Sequence, residues 1–190
     1  MYDLIETRST MEIGLWVLIA GLLLHRLYLQ VFRNRHRRYI RQAGRVLKTI
    51  RSFDGEHANQ QVFAYLRKID PFVFEELILT CFKEAGFKII RNKKYTGDGG
   101  IDGRVIIDGA LYLIQCKRYQ NHIDRRDVED LDHKVAQHQA KMGLFVHTGR
   151  TGKAAREWRY SRVNMISGQR LLTLLQGKYP LARQYDAKIA

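Results

Sequence analysis

The sequence predicts an α/β fold, a mixed β-sheet flanked by helices and preceded by one transmembrane helix. Three observations predict it. From Asp70 onward the apolar periodicity runs helix, three strands, helix, strand, helix, strand, helix, an order that builds a sheet with antiparallel and parallel neighbours. An Asp108-Gly109 pair separates two strand-like runs, a strong signal for a two-residue hairpin loop. Near the N-terminus, residues 13–24 (IGLWVLIAGLLL) are wholly apolar or Gly.

The chain has 190 residues, enough for one folded domain plus extras and too few for two large ones. Its 33 Lys and Arg outnumber 19 Asp and Glu, and the net charge of +14 points to a polyanionic partner, either nucleic acid or the anionic face of a membrane. Cys81 and Cys116 lack paired metal-ligand spacing and are too few for a disulfide framework, so a reducing compartment is expected. Two Pro and no low-complexity tract argue against long disordered regions, and no internal repeat is present.

Residues 1–12 form a short N-terminal tail. Twelve apolar residues rise only about 18 Å as a helix, but Ile13 to Phe32 reaches roughly 30 Å, the thickness of a hydrocarbon core. That span requires Arg26 to snorkel toward the side where Arg33, Arg35, Arg37, Arg38 and Arg41 follow. No acidic residue occurs between Ile13 and Phe53, and Arg8 alone precedes the apolar run, so the positive side is C-terminal. The expectation is a single-pass helix at 13–32 in the inner membrane, with the bulk of the chain cytoplasmic. Asp3 and Glu6 disfavour a cleaved signal peptide.

Residues 33–69 read as a basic helical connector. Tyr39, Ile40, Ala43, Val46, Leu47 and Ile50 recur at near-helical spacing, and Asp54-Gly55 separates them from a second short helix around 60–68. The basic side suits acidic lipid or phosphates, with lipid favoured by position. The globular domain is expected at 70–176, followed by a tail at 177–190. Asp70-Pro71 starts a helix whose apolar face includes Phe74, Leu77, Ile78, Cys81 and Phe82, ending at Gly86. Strands follow at 87–91, 101–107 and 110–118, then a polar helix at about 124–141, a strand at 143–147, a helix from about Thr151, a strand at 163–166 and a helix at 169–175.

The hairpin fixes a register. With Asp108-Gly109 as the loop, Ile107 faces Ala110 and Asp102 falls opposite Gln115. Lys117 shares that face, while Ile114 and Cys116 point into apolar packing. A carboxylate, a carbonyl oxygen and an ammonium thus converge. The loop that leads into the strand of Asp102 carries four Gly and two Asp in the seven residues 97–103, Asp102 among them, more than a turn requires, and Gly lets a ligand approach the backbone.

GDGGIDG at 97–103, QCKR at 115–118, Phe74-Glu75, GLFVHT at 143–148 and ISGQRL at 166–171 occur in one order. Together they resemble the Mrr-type restriction endonuclease domain of the PD-(D/E)XK nuclease superfamily, over about residues 70–176. The resemblance implies a restriction-endonuclease-like fold, hydrolysis of DNA phosphodiesters and a divalent metal, Mg²⁺ or Mn²⁺. It matches Asp102 to the metal-binding acid, Gln115 to the second strand position and metal ligand, Lys117 to the lysine and Glu75 to the acid on the first helix. Asp98 is left without a role. The superfamily pattern has Asp or Glu where Gln115 stands, and the Mrr branch resembles this chain in often using Gln. The neutral ligand removes one negative charge and should weaken a hard cation's binding.

These residue types suit the chemistry. Phosphodiester hydrolysis needs an activated water and neutralisation of developing charge, which two oxygen donors around a cation and a nearby ammonium can supply. Arg104, Arg118, Arg150 and Lys153 are candidate DNA contacts, in a cluster with Lys93, Lys94, Arg125, Arg126 and Arg156. Thr148 and Thr151 flank a loop leading into a helix whose amides could take a phosphate. His122, His133, His138 and His147 share no metal spacing and read as surface or capping residues. The expected activity is a membrane-tethered, type IV restriction-like DNA endonuclease acting on double-stranded DNA in defence against foreign or modified DNA, with a homodimer admitted. The competing readings are an inactive DNA-binding module at the membrane and a nuclease of junctions or RNA.

Overall fold

The computed structural model describes residues 2–92, 99–152 and 162–179, with side chains from residue 14 onward other than 32 and 33. The chain divides into two compact units, Met1–Arg38 and Tyr39–Ala190. Helix α1 (Tyr2–Arg51) begins in the first unit, whose Leu15, Trp16, Leu18, Leu22, Leu23, Leu24 and Leu27 are all exposed. Among the described residues, Gly14–Arg51 is one helix long and apolar enough to cross a membrane.

In the second unit, the end of α1 is part of the core. Ala43, Val46, Leu47 and Ile50 form a stripe at helical spacing and are buried with Val62 and Leu66 of α2 (Ala58–Leu66) and the apolar face of α3 (Pro71–Glu84). The region expected as a connector therefore contributes core residues from about Tyr39 onward. An apolar stripe opposite a basic face needs a partner, and α3 supplies it. Arg51 closes the join, with Nε donating to Leu175 O at 2.9 Å and Nη2 to Glu84 Oε2 at 2.6 Å.

Helix α3 starts as its sequence requires. Asp70 Oδ1 accepts from the amides of Phe72 and Val73, and Pro71 occupies the first turn, where no intrahelical amide bond is lost. Strands β1 (Lys88–Arg91), β2 (Gly103–Ile107), β3 (Ala110–Lys117), β4 (Met142–His147) and β5 (Val163–Ile166) form one sheet in the order β1-β2-β3-β4-β5. The first three pair antiparallel, and β4 and β5 continue in parallel. Helix α4 (Arg125–Gln137) carries the chain from β3 to β4, and α5 (Gly168–Leu175) follows β5.

The sheet separates two apolar layers. Val105, Ile107, Tyr112, Ile114, Leu144 and Val146 pack with α3 and α5, while Leu113 and Phe145 pack with Val128, Leu131 and Val135 of α4. The β2–β3 hairpin has the expected register, from Ile107↔Ala110 to Gly103↔Ile114. Asp108 (φ +50°) and Gly109 (φ +77°) both lie in the left-handed region, as the primed two-residue turn that matches strand twist demands. The helix expected from Thr151 falls mostly outside the described residues, as do Lys93, Lys94, Asp98, Lys153, Arg156 and the tail from 180.

Candidate active site

The open end of the hairpin and the start of α3 form one cleft. It encloses about 290 Å³ and is lined by Pro71, Phe74, Glu75, Gly100, Asp102, Gln115, Cys116, Lys117 and Arg118. Asp102, Gln115, Lys117 and Glu75, four residues expected from the sequence, are thus brought together. Asp102 lies one step beyond the last ladder pair, Gly103↔Ile114, and its amide donates to Ile114 O at 2.9 Å, so two residues of this strand end meet Ile114, as in a β-bulge, and Asp102 leaves the register that would set it directly opposite Gln115. Its Oδ2 accepts from the Cys116 amide at 2.6 Å, which orients the carboxylate across the strand end.

Gln115 is the unusual member. It is buried, and among the described residues its Oε1 has no hydrogen-bond partner. A buried carbonyl oxygen without a donor is costly, and natural structures rarely leave one unsatisfied. Gly100 (φ +78°) permits the close packing beside it. A Cβ there would lie 3.3 Å from Gln115 Nε2 and 3.2 Å from Lys134 Nζ.

Glu75 and Glu76 have different fates because one helical step turns a side chain by about 100°. Glu75 reaches the cleft, whereas Glu76 is buried and paired with Arg91 Nε at 2.7 Å. Cys116 lies on the α3 face of the sheet. Burial, followed by the Asp102 and Glu75 carboxylates, pushes its thiol well above the ordinary range, so it stays protonated.

Lys117 ends β3 with Nζ 3.1 Å from Asp127 Oδ1 of α4. Asp127 also accepts a hydrogen bond from the Tyr119 hydroxyl. Sequence reasoning passed over Asp127, Tyr119 and Lys134. The Asp124-x-x-Asp127 start of the polar helix was the available signal, but acidic residues in a first helical turn usually only complement the helix dipole.

The basic candidates separate. Arg118 lines the cleft, yet its Nη1 donates to the carbonyls of Arg67 and Ile69, tying β3 to the segment before α3. Arg104 Nη1 donates to Asn92 Oδ1 at 3.0 Å on β2. Arg150 is exposed, with its amide on Asn121 O at 2.8 Å. Thr148 is buried, its Oγ1 donating to Tyr119 O at 2.9 Å and its carbonyl accepting from Arg67 Nη2 at 2.9 Å. It therefore builds the wall and leaves little for a phosphate.

His122, His133 and His138 are exposed, but His147 corrects the expectation of a surface or capping residue. It is completely buried, because β4 is an interior strand with apolar layers on both faces. Among the described residues neither ring nitrogen has a hydrogen-bond partner of good geometry. Desolvation lowers its pKa to about 4.

Among the described residues, no group of three or more His, Cys, Asp or Glu is placed to hold a metal. The cleft offers a different donor set, namely the carboxylate of Asp102, that of Glu75 and the unpartnered Gln115 oxygen. All are hard oxygen donors, which fits a cation such as Mg²⁺ that keeps part of its water shell.

A family model described as Mrr_cat, restriction endonuclease, matches residues 66–175, more than half of the chain. Among curated proteins, the type IV methyl-directed restriction enzyme EcoKMrr of Escherichia coli (strain K12) is 30% identical over 124 residues, covering 60% of this chain and 41% of the relative. The chain thus spans about two fifths of that relative's length. Among solved structures, the MspJI restriction endonuclease in complex with a 27-mer oligonucleotide aligns with a TM-score of 0.46 at 20% identity, over 68% of this chain and 32% of that one. The family match begins at the end of α2 and stops at the last residue of α5, enclosing the whole sheet and the cleft, and by it this chain belongs to the Mrr_cat restriction endonuclease family.

Proposed function

We propose that the chain is a membrane-tethered, Mg²⁺-dependent endonuclease that hydrolyses phosphodiester bonds of double-stranded DNA. One observation carries the reading most: the buried, unpartnered Gln115 Oε1 shares a cleft with the carboxylates of Asp102 and Glu75 and with Lys117. An oxygen acceptor buried beside two acids and a cation is poorly explained by packing alone.

Asp102 and Gln115 would hold the metal, with Asp102 Oδ2 already aligned by the Cys116 amide. When bound, Mg²⁺ supplies charge neutralisation at the phosphate and acidifies a coordinated water. The Lys117 ammonium meets the negative charge that develops on the phosphate oxygens, where a fixed cation is most effective. Glu75, half-buried at the start of α3, orients the attacking water by accepting its hydrogen bond. Arg104, Arg118 and Arg150 are the described candidates for backbone phosphate contacts, with Nη1 of Arg118 engaged in the cleft wall. Lys153 is a further candidate outside the described residues.

The tether rests on the exposed apolar stretch of α1 and the Arg residues after it. That flank orients the nuclease domain to the cytoplasm, at the inner membrane. EcoKMrr is named as methyl-directed, so methylated DNA is the first substrate to test for a role against foreign or modified DNA.

The test uses the full chain in detergent micelles with methylated and unmethylated duplexes, four-way junctions and RNA, in Mg²⁺, Mn²⁺ or EDTA. Metal-dependent duplex cutting is expected. Salt-sensitive DNA binding without cutting in any metal would identify a binding module instead. Carbonate extraction tests the anchor: the chain should stay with membranes, and full release would leave only a peripheral helix.

A further inference from the structure

We infer that Asp127 is a positioning residue for the reaction, holding the Lys117 ammonium at the cleft while Tyr119 fixes the Asp127 carboxylate. The inference rests on the nuclease reading above and concerns α4, a helix that reading does not use.

The two carboxylate oxygens of Asp127 are divided between two partners. Oδ1 lies 3.1 Å from Lys117 Nζ, and Oδ2 accepts from the Tyr119 hydroxyl. Lys117 needs such a clamp. Its side chain is 37% exposed at the end of β3, and a flexible four-carbon stem would otherwise spread the ammonium over many rotamers. Catalysis by a fixed charge depends on the charge being in place before the transition state forms.

Tyr119 is itself well placed. Its carbonyl accepts from Thr148 Oγ1 at 2.9 Å, and its ring lies against His147, with centroids 6.4 Å apart. Gly149 makes room, since a Cβ there would come within 2.6 Å of Tyr119 Cβ. Burial, and then the bond to Asp127, raise the phenol's pKa, so the hydroxyl remains a donor near neutral pH. A relay of contacts therefore runs from the β4 end through Tyr119 and Asp127 to Lys117.

Fold stability is a weak alternative reason for the pair. With side chains 37% and 29% exposed, a Lys–Asp bridge of this kind contributes little to folding. Loss of Asp127 should therefore appear in the chemical step.

The experiment uses the full chain in detergent micelles with D127N, D127E, Y119F, K117M and K117M/D127N. In D127N the single-turnover cleavage rate at saturating DNA and Mg²⁺ should fall about 10- to 100-fold. DNA affinity in Ca²⁺ and Mn²⁺ affinity by paramagnetic resonance should stay within about twofold of wild type, and Tm within about 3 °C. D127E should recover the rate to within about threefold, Y119F should show a smaller loss than D127N, and K117M/D127N should be no slower than K117M. A D127N rate within twofold of wild type overturns the inference, as does a D127E enzyme as slow as D127N or a defect that resides in DNA or Mn²⁺ affinity. A wild-type chain that cuts no nucleic acid overturns the nuclease reading and this inference with it. A cutting wild type matched by D127N overturns the inference alone.

Discussion

The Asp102 carboxylate accepts a hydrogen bond from the Cys116 amide at 2.6 Å, locking an acid from one strand of the hairpin onto the backbone of the other. Asp102 lines the same cleft as Gln115, whose carbonyl oxygen is buried with no hydrogen-bond partner among the described residues. Oδ2 thus holds the strand end together, and the same carboxylate lines the cleft.

This double role predicts the behaviour of Asp102→Asn. The amide oxygen can still accept from Cys116, so Tm should change by no more than a few degrees, about 1 kcal/mol or less. Cleavage should fall by more than about 10³-fold with DNA affinity retained, as measured by single-turnover kinetics and a binding titration. A variant that cuts at the wild-type rate would remove Asp102 from the mechanism.

Gln115 gives a two-sided prediction. Gln115→Leu keeps the bulk and removes the buried oxygen, so metal affinity and cutting should collapse while the fold persists. Gln115→Glu adds a charge and should reach half-maximal rate at a lower Mg²⁺ concentration. Equal cutting by wild type and Gln115→Leu across a Mg²⁺ titration would show that the oxygen is no ligand.

His147 predicts acid sensitivity of the fold. Its pKa is lowered to about 4 by burial, so the unfolded chain takes up a proton first as pH falls. The stability it confers is complete above its ordinary pKa of about 6.5 and is lost on descent to about pH 4, a loss of about 3 kcal/mol. Urea unfolding of wild type and His147→Leu between pH 7.5 and pH 4, roughly the two sides of this window, should show a steeper decline for wild type. Parallel declines would place the acid sensitivity elsewhere.

Gly103 predicts a packing defect next to the site. A Cβ at this position would lie 2.6 Å from Leu79 Cδ2 and 2.9 Å from Leu79 Cδ1, where α3 crosses β2. Gly103→Ala should cost about 1–3 kcal/mol in denaturant unfolding and lower cleavage by shifting α3 with Glu75. In a Leu79→Ala background the same Gly103→Ala change should cost less than in wild type, and an equal cost would locate the strain in the backbone.

Local chemistry made much of this protein legible in its sequence. The Asp108-Gly109 turn, with both residues in the left-handed region, determines the β2–β3 register as far as Gly103↔Ile114, and so brings the strand ends that carry Asp102 and Gln115 together. Asp70-Pro71 starts α3 by a cap and a fixed φ, both short-range effects, and so brings Glu75 into the first turn. The apolar run in α1 follows likewise from composition. The tertiary structure decided what depends on elements distant in sequence. The end of α1 joins the core because α2 and α3 cover its apolar stripe, which no local signal distinguishes from a free amphipathic helix. His147 is buried because β4 lies between β3 and β5, and strand order is a property of the whole sheet. The Lys117–Asp127–Tyr119 contacts arise because the crossover from β3 to β4 lays α4 on the face that Lys117 shares with Leu113, and a charged residue in a helix's first turn carries no mark in sequence of the strand it will meet.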